Sequence, residues 1–293
     1  MGKLTELPMV VGVDGSESSL AAVDWSADEA ARHGLPLRLV YASLWARYEG
    51  VTPSNSPDRP SEQVMAENIV AVATERARRR RPEVDVSGDV VPEDAVSALL
   101  REGNNASVLV TGSRGRGELK GLLLGSVGLA VAARAYGPVI VVRGDRSAIT
   151  GEHGRVLLGA GDPGTTDEAV RFAFREAEAR GCVLDVVRAW LRPARTTAGR
   201  PTGESSREDE KQAADLLDTL LREATAAHPD VRVRRSTVEG PARSVLLRRS
   251  AAADLAVIGA RRRQGHLGLQ LGRVGHRLLH HADCPVALVP QRM

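Results

Sequence analysis

Three glycines and a serine give the most chemically suggestive spacing in this chain: Gly112 and Gly115, then nine residues, then Gly125 and Ser126. A phosphate is cradled by backbone N–H groups with no Cβ in the way, and a helix N-terminus adds favourable positive potential. Gly112 and Gly115 would let the chain turn tightly beside a ligand. Gly125 and Ser126 would supply amides and a hydroxyl where a helix begins. The same residues also suit an ordinary mobile loop, with Ser126 as the N-cap of the helix. The pattern is not a Walker loop, since no Gly-Lys-Ser/Thr follows and Lys120 is out of place for one. Nor is it the dinucleotide fingerprint, because Gly112-x-x-Gly115-x-Gly117 follows a fourth strand rather than the first. Asp14, at the end of the first strand, is the second candidate. A carboxylate there could take hydrogen bonds from a nucleoside, or could cap the next helix.

These residues must be positioned by the elements around them, and the elements come twice. "MVVGVDGSESSLAAVDWSADEA" (9–30) resembles "VLLGAGDPGTTDEAVRFAFREA" (156–177), and an offset of 147 carries Gly12 to Gly159, Gly34 to Gly181, Gly112 to Gly259, Gly125 to Gly272 and Pro138 to Pro285. One constant offset means two equal units joined by the polar, Gly-containing stretch 143–155, so the chain reads as a tandem duplication. Within the first unit, apolar strands at 8–14, 35–42, 84–91, 107–112 and 138–143 alternate with helices at 17–33, 62–81, one opened by Pro92, and 126–135. Short, nearly continuous apolar strands between helices imply a parallel sheet covered on both faces. Ligands of such sheets lie at the carboxyl ends of strands, where the strand order reverses. If the first and fourth strands are neighbours, the Asp14 loop and the Gly112 loop face one crevice.

Together, "VVGVDGSESS", the Gly112-x-x-Gly115-(nine residues)-Gly125-Ser126 spacing and "GPVIVVR" resemble the ATP-binding branch of the universal stress protein family, and the resemblance covers both halves of the chain. It implies two tandem flavodoxin-like (Rossmann-like), doubly wound parallel five-stranded sheets of strand order 3-2-1-4-5, with domains at 1–146 and 153–293. It also implies an ATP-binding regulatory module of the stress response. Carried over, Asp14 contacts the nucleoside, Gly12 and Val13 line the adenine pocket, and the backbone of Ala42 reads the adenine edge. Gly112 and Gly115 sit by the ribose and phosphates, and Gly125, Ser126 and Val127 hold the phosphate tail. ATP, with or without Mg, is expected once per chain, in the first domain. Members of the family dimerise through the last strand, here "PVIVVR" and "PVALVP". Those edges could pair within a tandem chain, and a dimer of tandem chains is the expected assembly, with a regulatory protein partner that the sequence does not name.

The second half departs from the pattern. Asp14 maps to Gly161 with Asp162 displaced by one, Gly115 maps to Arg262, and Ser126 maps to Arg273. A side chain at 262 would obstruct a close backbone approach, although arginines can themselves bind anions. Loss of ATP binding in this half is the expectation. His276 and His280 share a helix face by their i,i+4 spacing, but without a recognisable acidic partner no metal site is expected.

Composition narrows the remaining classes. The 293 residues carry 40 Lys and Arg against 37 Asp and Glu, and only 3% aromatic residues, so base-stacking platforms are scarce. The "RARRRR" run (76–81) could contact nucleic acid, but it also suits a solvated helix end, which is the favoured reading. The longest uncharged apolar run, 121–133, is too short to span a bilayer, and no secretory or myristoylation pattern opens the chain. Cys182 and Cys284 are too few for a disulfide scaffold, so a cytoplasmic, reduced protein is expected. No Ser-His-Asp or Cys-His arrangement is legible, and no catalytic residue is assigned. A slow ATPase or phosphotransfer enzyme is one alternative function. A nucleotide-free interaction module using the Arg-rich second half is the other.

Overall fold

The computed structural model describes residues 7–44, 62–115, 124–191, 203–261 and 271–291, without the side chains of 203–207. The chain divides into two compact units, Met1–Arg143 and Gly144–Met293. In the first, the strands are β1 (Met9–Gly12), β2 (Leu37–Ala42), β3 (Val86–Val91), β4 (Val108–Gly112) and β5 (Val139–Val142). The helices are α1 (Glu17–His33), α2 (Glu62–Arg80), α3 (Ala95–Gly103) and α4 (Ser126–Arg134). The order β3-β2-β1-β4-β5 is that expected from the sequence. The second unit opens on the short helix α5 (Arg146–Thr150). It then repeats the pattern with β6 (Arg155–Gly159), α6 (Asp167–Arg180), β7 (Val183–Trp190), α7 (Gly203–Ala227), β8 (Arg232–Glu239), α8 (Ala242–Ser250), β9 (Leu255–Ala260), α9 (Arg273–His281) and β10 (Val286–Pro290), in the order β8-β7-β6-β9-β10. Every strand pair within a unit is parallel.

Right-handed crossovers then dictate the layers. The two helices that precede the reversal of strand order pack together on one face, as α1 with α2 and α6 with α7. The next two pack on the other, as α3 with α4 and α8 with α9. Covered on both sides, β1, β4, β5, β6 and β9 bury nearly all their side chains, which is why they read as unbroken apolar runs. Gly12 and Gly159 serve this layering. A Cβ on Gly12 would lie 2.9 Å from Leu99 of α3, and one on Gly159 would lie 2.7 Å from the equivalent Leu246 of α8.

One local reading is corrected: Pro92 does not open a helix. α3 begins at Ala95, because the Asp94 carboxylate accepts from the Ser97 N–H at 3.0 Å and so fixes the N-cap there. The polar, Gly-containing stretch that joins the units also holds α5, capped by Asp145 and ended by Gly151 at φ 81°.

Charge placement is specific as well. The arginine run on α2 is largely exposed to solvent, as expected, and its members are also bonded to neighbouring groups. Arg76 grips Asp24 with two hydrogen bonds of 2.6 Å, and Arg80 and Arg81 hold Asp28 at 2.7 and 2.8 Å. Arg79 bonds Glu75 at 2.7 Å, and Arg78 donates to the Val86 carbonyl at 2.9 Å. Burial pulls the Asp28 carboxyl upward, but the hydrogen bonds and charges of Arg80 and Arg81 outweigh it and hold its pKa below the usual value. Between β2 and α3 the pair Arg38–Glu102 lies at 3.3 Å. At the equivalent place in the second unit the signs are exchanged, with Asp185 of β7 and Arg249 of α8 at 3.1 Å. Among the described residues no helix is long and apolar enough to cross a membrane.

Candidate functional site

β1 lies between β2 and β4, so the strand order reverses there and the loops after β1 and β4 meet at its carboxyl end. The meeting is made by serines. Ser18 Oγ accepts from the Arg114 N–H at 3.1 Å and lies 3.4 Å from Ser113 Oγ, and Ser16 Oγ lies 3.5 Å from the Arg114 carbonyl. Asp14 does not cap α1. Ser16 does, accepting from the Ser19 N–H at 3.2 Å, while Asp14 Oδ1 accepts from the Ser16 N–H at 3.0 Å and from its hydroxyl at 2.6 Å. The tight turn between them is allowed by Gly15 at φ 79°. Asp14 Oδ2 lies against Gly115, where a Cβ would be only 2.7 Å away. Asp14 and Gly115 therefore meet at contact distance where the two loops come together.

The other expected residues divide by what they do. A Cβ on Gly112 would lie 2.6 Å from the Ser18 carbonyl oxygen, so this glycine lets β4 pass against the first turn of α1. Gly125 is the N-cap of α4 with no side-chain cap bond, and its N–H donates to the Ser113 carbonyl at 2.8 Å. Ser126 is therefore not the cap but the exposed first residue of the helix, with Val127 half-buried behind it. The Leu129 N–H donates to the Gly125 carbonyl at 3.1 Å as the first bond of α4, so the amides of Ser126, Val127 and Gly128 point out of the helix end. Val13 is buried and donates to the Val40 carbonyl at 2.9 Å. Ser43, two residues after Tyr41, donates to Val91 of β3. Backbone groups alternate sides along a strand, so the N–H and C=O of Ala42 turn the other way, past the end of β1 toward Asp14. Gly12 is half-buried, and its missing side chain is explained by Leu99 rather than by the crevice. Sequence reasoning missed Ser16, Ser18 and Ser113; the serine-rich "GSESS" after β1 was the available sign. Thr111 Oγ1, buried without a hydrogen-bond partner close under Gly128 of α4, was also missed.

The second unit keeps the scaffold and alters the crevice. A Cβ on Gly259 would lie 2.7 Å from the Thr165 carbonyl oxygen, repeating the contact of Gly112 with Ser18. Where Asp14 would stand, Gly161 has no carboxylate, and its N–H donates to Thr166 Oγ1 at 3.0 Å. Arg188 of β7 lies across this loop, donating to the Gly161 carbonyl at 2.6 Å and to Asp162 at 2.8 Å. Gln291 packs beside Gly259 and accepts from the Glu168 N–H of α6 at 3.1 Å. Arg273 is the exposed first residue of α9, whose N-cap is Gly272. Arg262 lies outside the described residues. His276 and His280 do share a face, and their rings stack with centroids 4.4 Å apart.

The sequence profile of the Universal stress protein family matches residues 7–143 and 152–290, once over each unit. The chain belongs to the universal stress protein family. Among its relatives, a universal stress protein of Mycobacterium tuberculosis is 34% identical over 292 residues, covering 97% of each chain. Another, from Mycolicibacterium smegmatis, is 30% identical over 296 residues, covering 98% of each. The crystal structure of a universal stress protein from Archaeoglobus fulgidus superposes with a TM-score of 0.71 at 18% identity, over 99% of this chain and 100% of that one, and so shares the tandem fold. Membership assigns this universal stress protein a stress-response role of the general regulatory kind. Its two units have one scaffold and two different crevices.

Proposed function

We propose that this universal stress protein is a nucleotide-responsive regulatory module that binds one ATP, with or without Mg, in its first domain (residues 1–146). The second domain (153–293) has lost the site. The observation that supports this most directly is the facing pair of Asp14 and Gly115: a carboxylate held by Ser16, opposite a glycine whose Cβ would lie 2.7 Å away. A side chain at 115 would press on that carboxylate, so the glycine keeps Asp14 in place to meet a nucleoside at the mouth of the two loops. In the proposed pose Asp14 accepts from ribose hydroxyls, Ala42 offers its N–H and C=O to the adenine edge, and Gly12 and Val13 close the pocket floor. Gly112 and Gly115 keep the loop close, and Gly125, Ser126 and Val127 hold the phosphates at the uncapped start of α4. In the second domain the Arg188 guanidinium bonds the loop that would have to receive the nucleoside.

A binding role is favoured over turnover by the work that Ser16 already does. Its hydroxyl lies 2.6 Å from a carboxylate, as an activated nucleophile would, but it also caps α1 and so holds the helix start. ATP binding would act by stabilising one of two conformations or association states, with a dimer of tandem chains in the cytoplasm as the proposed setting. Calorimetric titration of the full chain with ATP tests this, beside Asp14→Ala and an assay for released phosphate. One site per chain, weakened at least about tenfold in Asp14→Ala, is expected from the value of hydrogen bonds to a charged group. Phosphate release abolished by Asp14→Ala would favour the enzyme reading instead.

A further inference from the structure

Among the described helices, positive charge is concentrated in two places, and only one of them is neutralised. The run 76–81 is bonded to α1, to α2 itself and to β3, as described above. In the second unit, α8 and α9 pack together and carry five arginines and no acidic residue. Only Arg249 is engaged, with Asp185. Arg243, Arg248, Arg273 and Arg277 are exposed and make no ion pair among the described residues, and Arg273 and Arg277 share a face by i,i+4 spacing. This is not inherited from the repeat: the equivalent α3 and α4 carry only Arg101 and Arg134, and Arg101 is bonded to Glu93 and Glu102.

The opposite face of the same sheet has the opposite sign. α7 carries seven acidic residues against three basic ones, and Glu208, Glu210 and Asp215 are exposed and unpaired among the described residues. The apolar residues of α8 and α9 that could enter a bilayer, Val245, Leu246, Leu278 and Leu279, are buried in the unit's own core. Neither helix has a Phe, Tyr or Trp on which an unpaired base could stack. The chemistry that fits is a row of carboxylates, and the chain itself presents one.

We propose that the α8–α9 face of one molecule docks the α7 face of a second copy of this chain. Because the two faces lie on opposite sides of one sheet, the contact is heterologous and is not closed by a two-fold axis. It adds molecules one after another rather than stopping at a pair. Rim charges of this kind are screened by salt, so the association is sensitive to ionic strength.

Sedimentation velocity of the full chain over a concentration series tests this, in about 10 mM and about 300 mM salt, between which screening shortens from about 30 Å to well under 10 Å. At low salt the average mass should climb with concentration past that of two chains, and the apparent association constant should fall at least about tenfold at high salt. R273E/R277E and E208K/E210K should each lose the climb alone, and an equimolar mixture of the two should recover it, because each supplies the face that the other has reversed. A mass independent of salt, a climb retained in both variants, or a mixture that fails to recover would overturn the proposal. So would loss of binding to a duplex DNA probe in R273E/R277E with self-association unchanged, which would make nucleic acid the partner.

Discussion

Alanine at Gly115 and alanine at Gly112 should have opposite consequences, although the two positions are three residues apart. Neither glycine has a positive φ, so the backbone accepts alanine at both and the effect is steric alone. At Gly115 the new methyl would lie 2.7 Å from Asp14 Oδ2, the end of a flexible side chain. The carboxylate must swing away by roughly half an ångström or more, at a cost to the fold of under about 1 kcal/mol. That swing pulls Oδ1 from its bonds to the Ser16 N–H and hydroxyl and removes it from the pose proposed for the ribose. Hydrogen bonds to a charged group are worth about 1.5–3 kcal/mol, so ATP affinity should fall roughly 10- to 150-fold. At Gly112 the methyl would meet the carbonyl carbon and oxygen of Ser18 at 2.7 and 2.6 Å, and a helix backbone does not swing aside. Overpacking of this kind costs about 1–3 kcal/mol, which lowers the melting temperature by about 4–8 °C for a cost near the middle of that range. Gly259→Ala should be destabilising in the same way, through Thr165, without touching ATP affinity. Calorimetric titration and thermal melts of the three variants separate these outcomes. A Gly115→Ala protein that binds ATP within about twofold of the parent would refute the placement of the nucleoside against Asp14.

Three further outcomes follow from packing and charge. Glu102→Arg beside Arg38 should cost about 2 kcal/mol, and R38D/E102R with D89S should recover most of it in denaturant melts, since the second unit already holds the inverted pair Asp185–Arg249 with Ser236 in place of Asp89. Asp28 has a folded-state pKa below its unfolded value of about 3.9, so its stabilisation is present above that pH and is lost as pH falls through the folded value. Asp28→Asn should therefore be less stable than the parent at pH 7 by about 0.5–1.5 kcal/mol, and the difference should close below about pH 4. Cys182 and Cys284 are buried and form no disulfide, and burial pushes the Cys182 thiol up, so a thiol reagent at pH 8 should label the chain quickly only after denaturation.

The alternation of strand and helix is legible in the sequence because central strands of a doubly covered sheet must be apolar on both sides, as "MVVG" of β1 and "VLV" of β4 are. The duplication is legible because glycines that answer to backbone contacts recur at one offset: Gly112 against Ser18 and Gly259 against Thr165. Contacts between distant side chains are not legible in that way. The serines that join the two loops lie 95 to 98 residues from their partners, and nothing local marks Ser18 as the acceptor for the Arg114 N–H. The arginine run is solvent-exposed as it reads, but its pairs with Asp24 and Asp28 are not legible, because those carboxylates lie on another helix 52 residues away. Arg188 stands where the first unit has Tyr41. Only the folded geometry shows its guanidinium bonding the loop at Gly161 and Asp162.

The nucleotide content of the purified full-length chain is the most direct test of the central claim. Denaturing the protein, identifying what is released and counting moles per chain after incubation with ATP near the parent's half-saturation should show one site per chain at saturation, with most of the bound ATP lost in Asp14→Ala and none lost in Gly161→Asp. Two per chain would contradict the reading of Arg188 and Gly161 as the loss of the second site. None, with no uptake on adding ATP with or without Mg, would contradict the proposed role of Asp14, Gly115 and the uncapped start of α4.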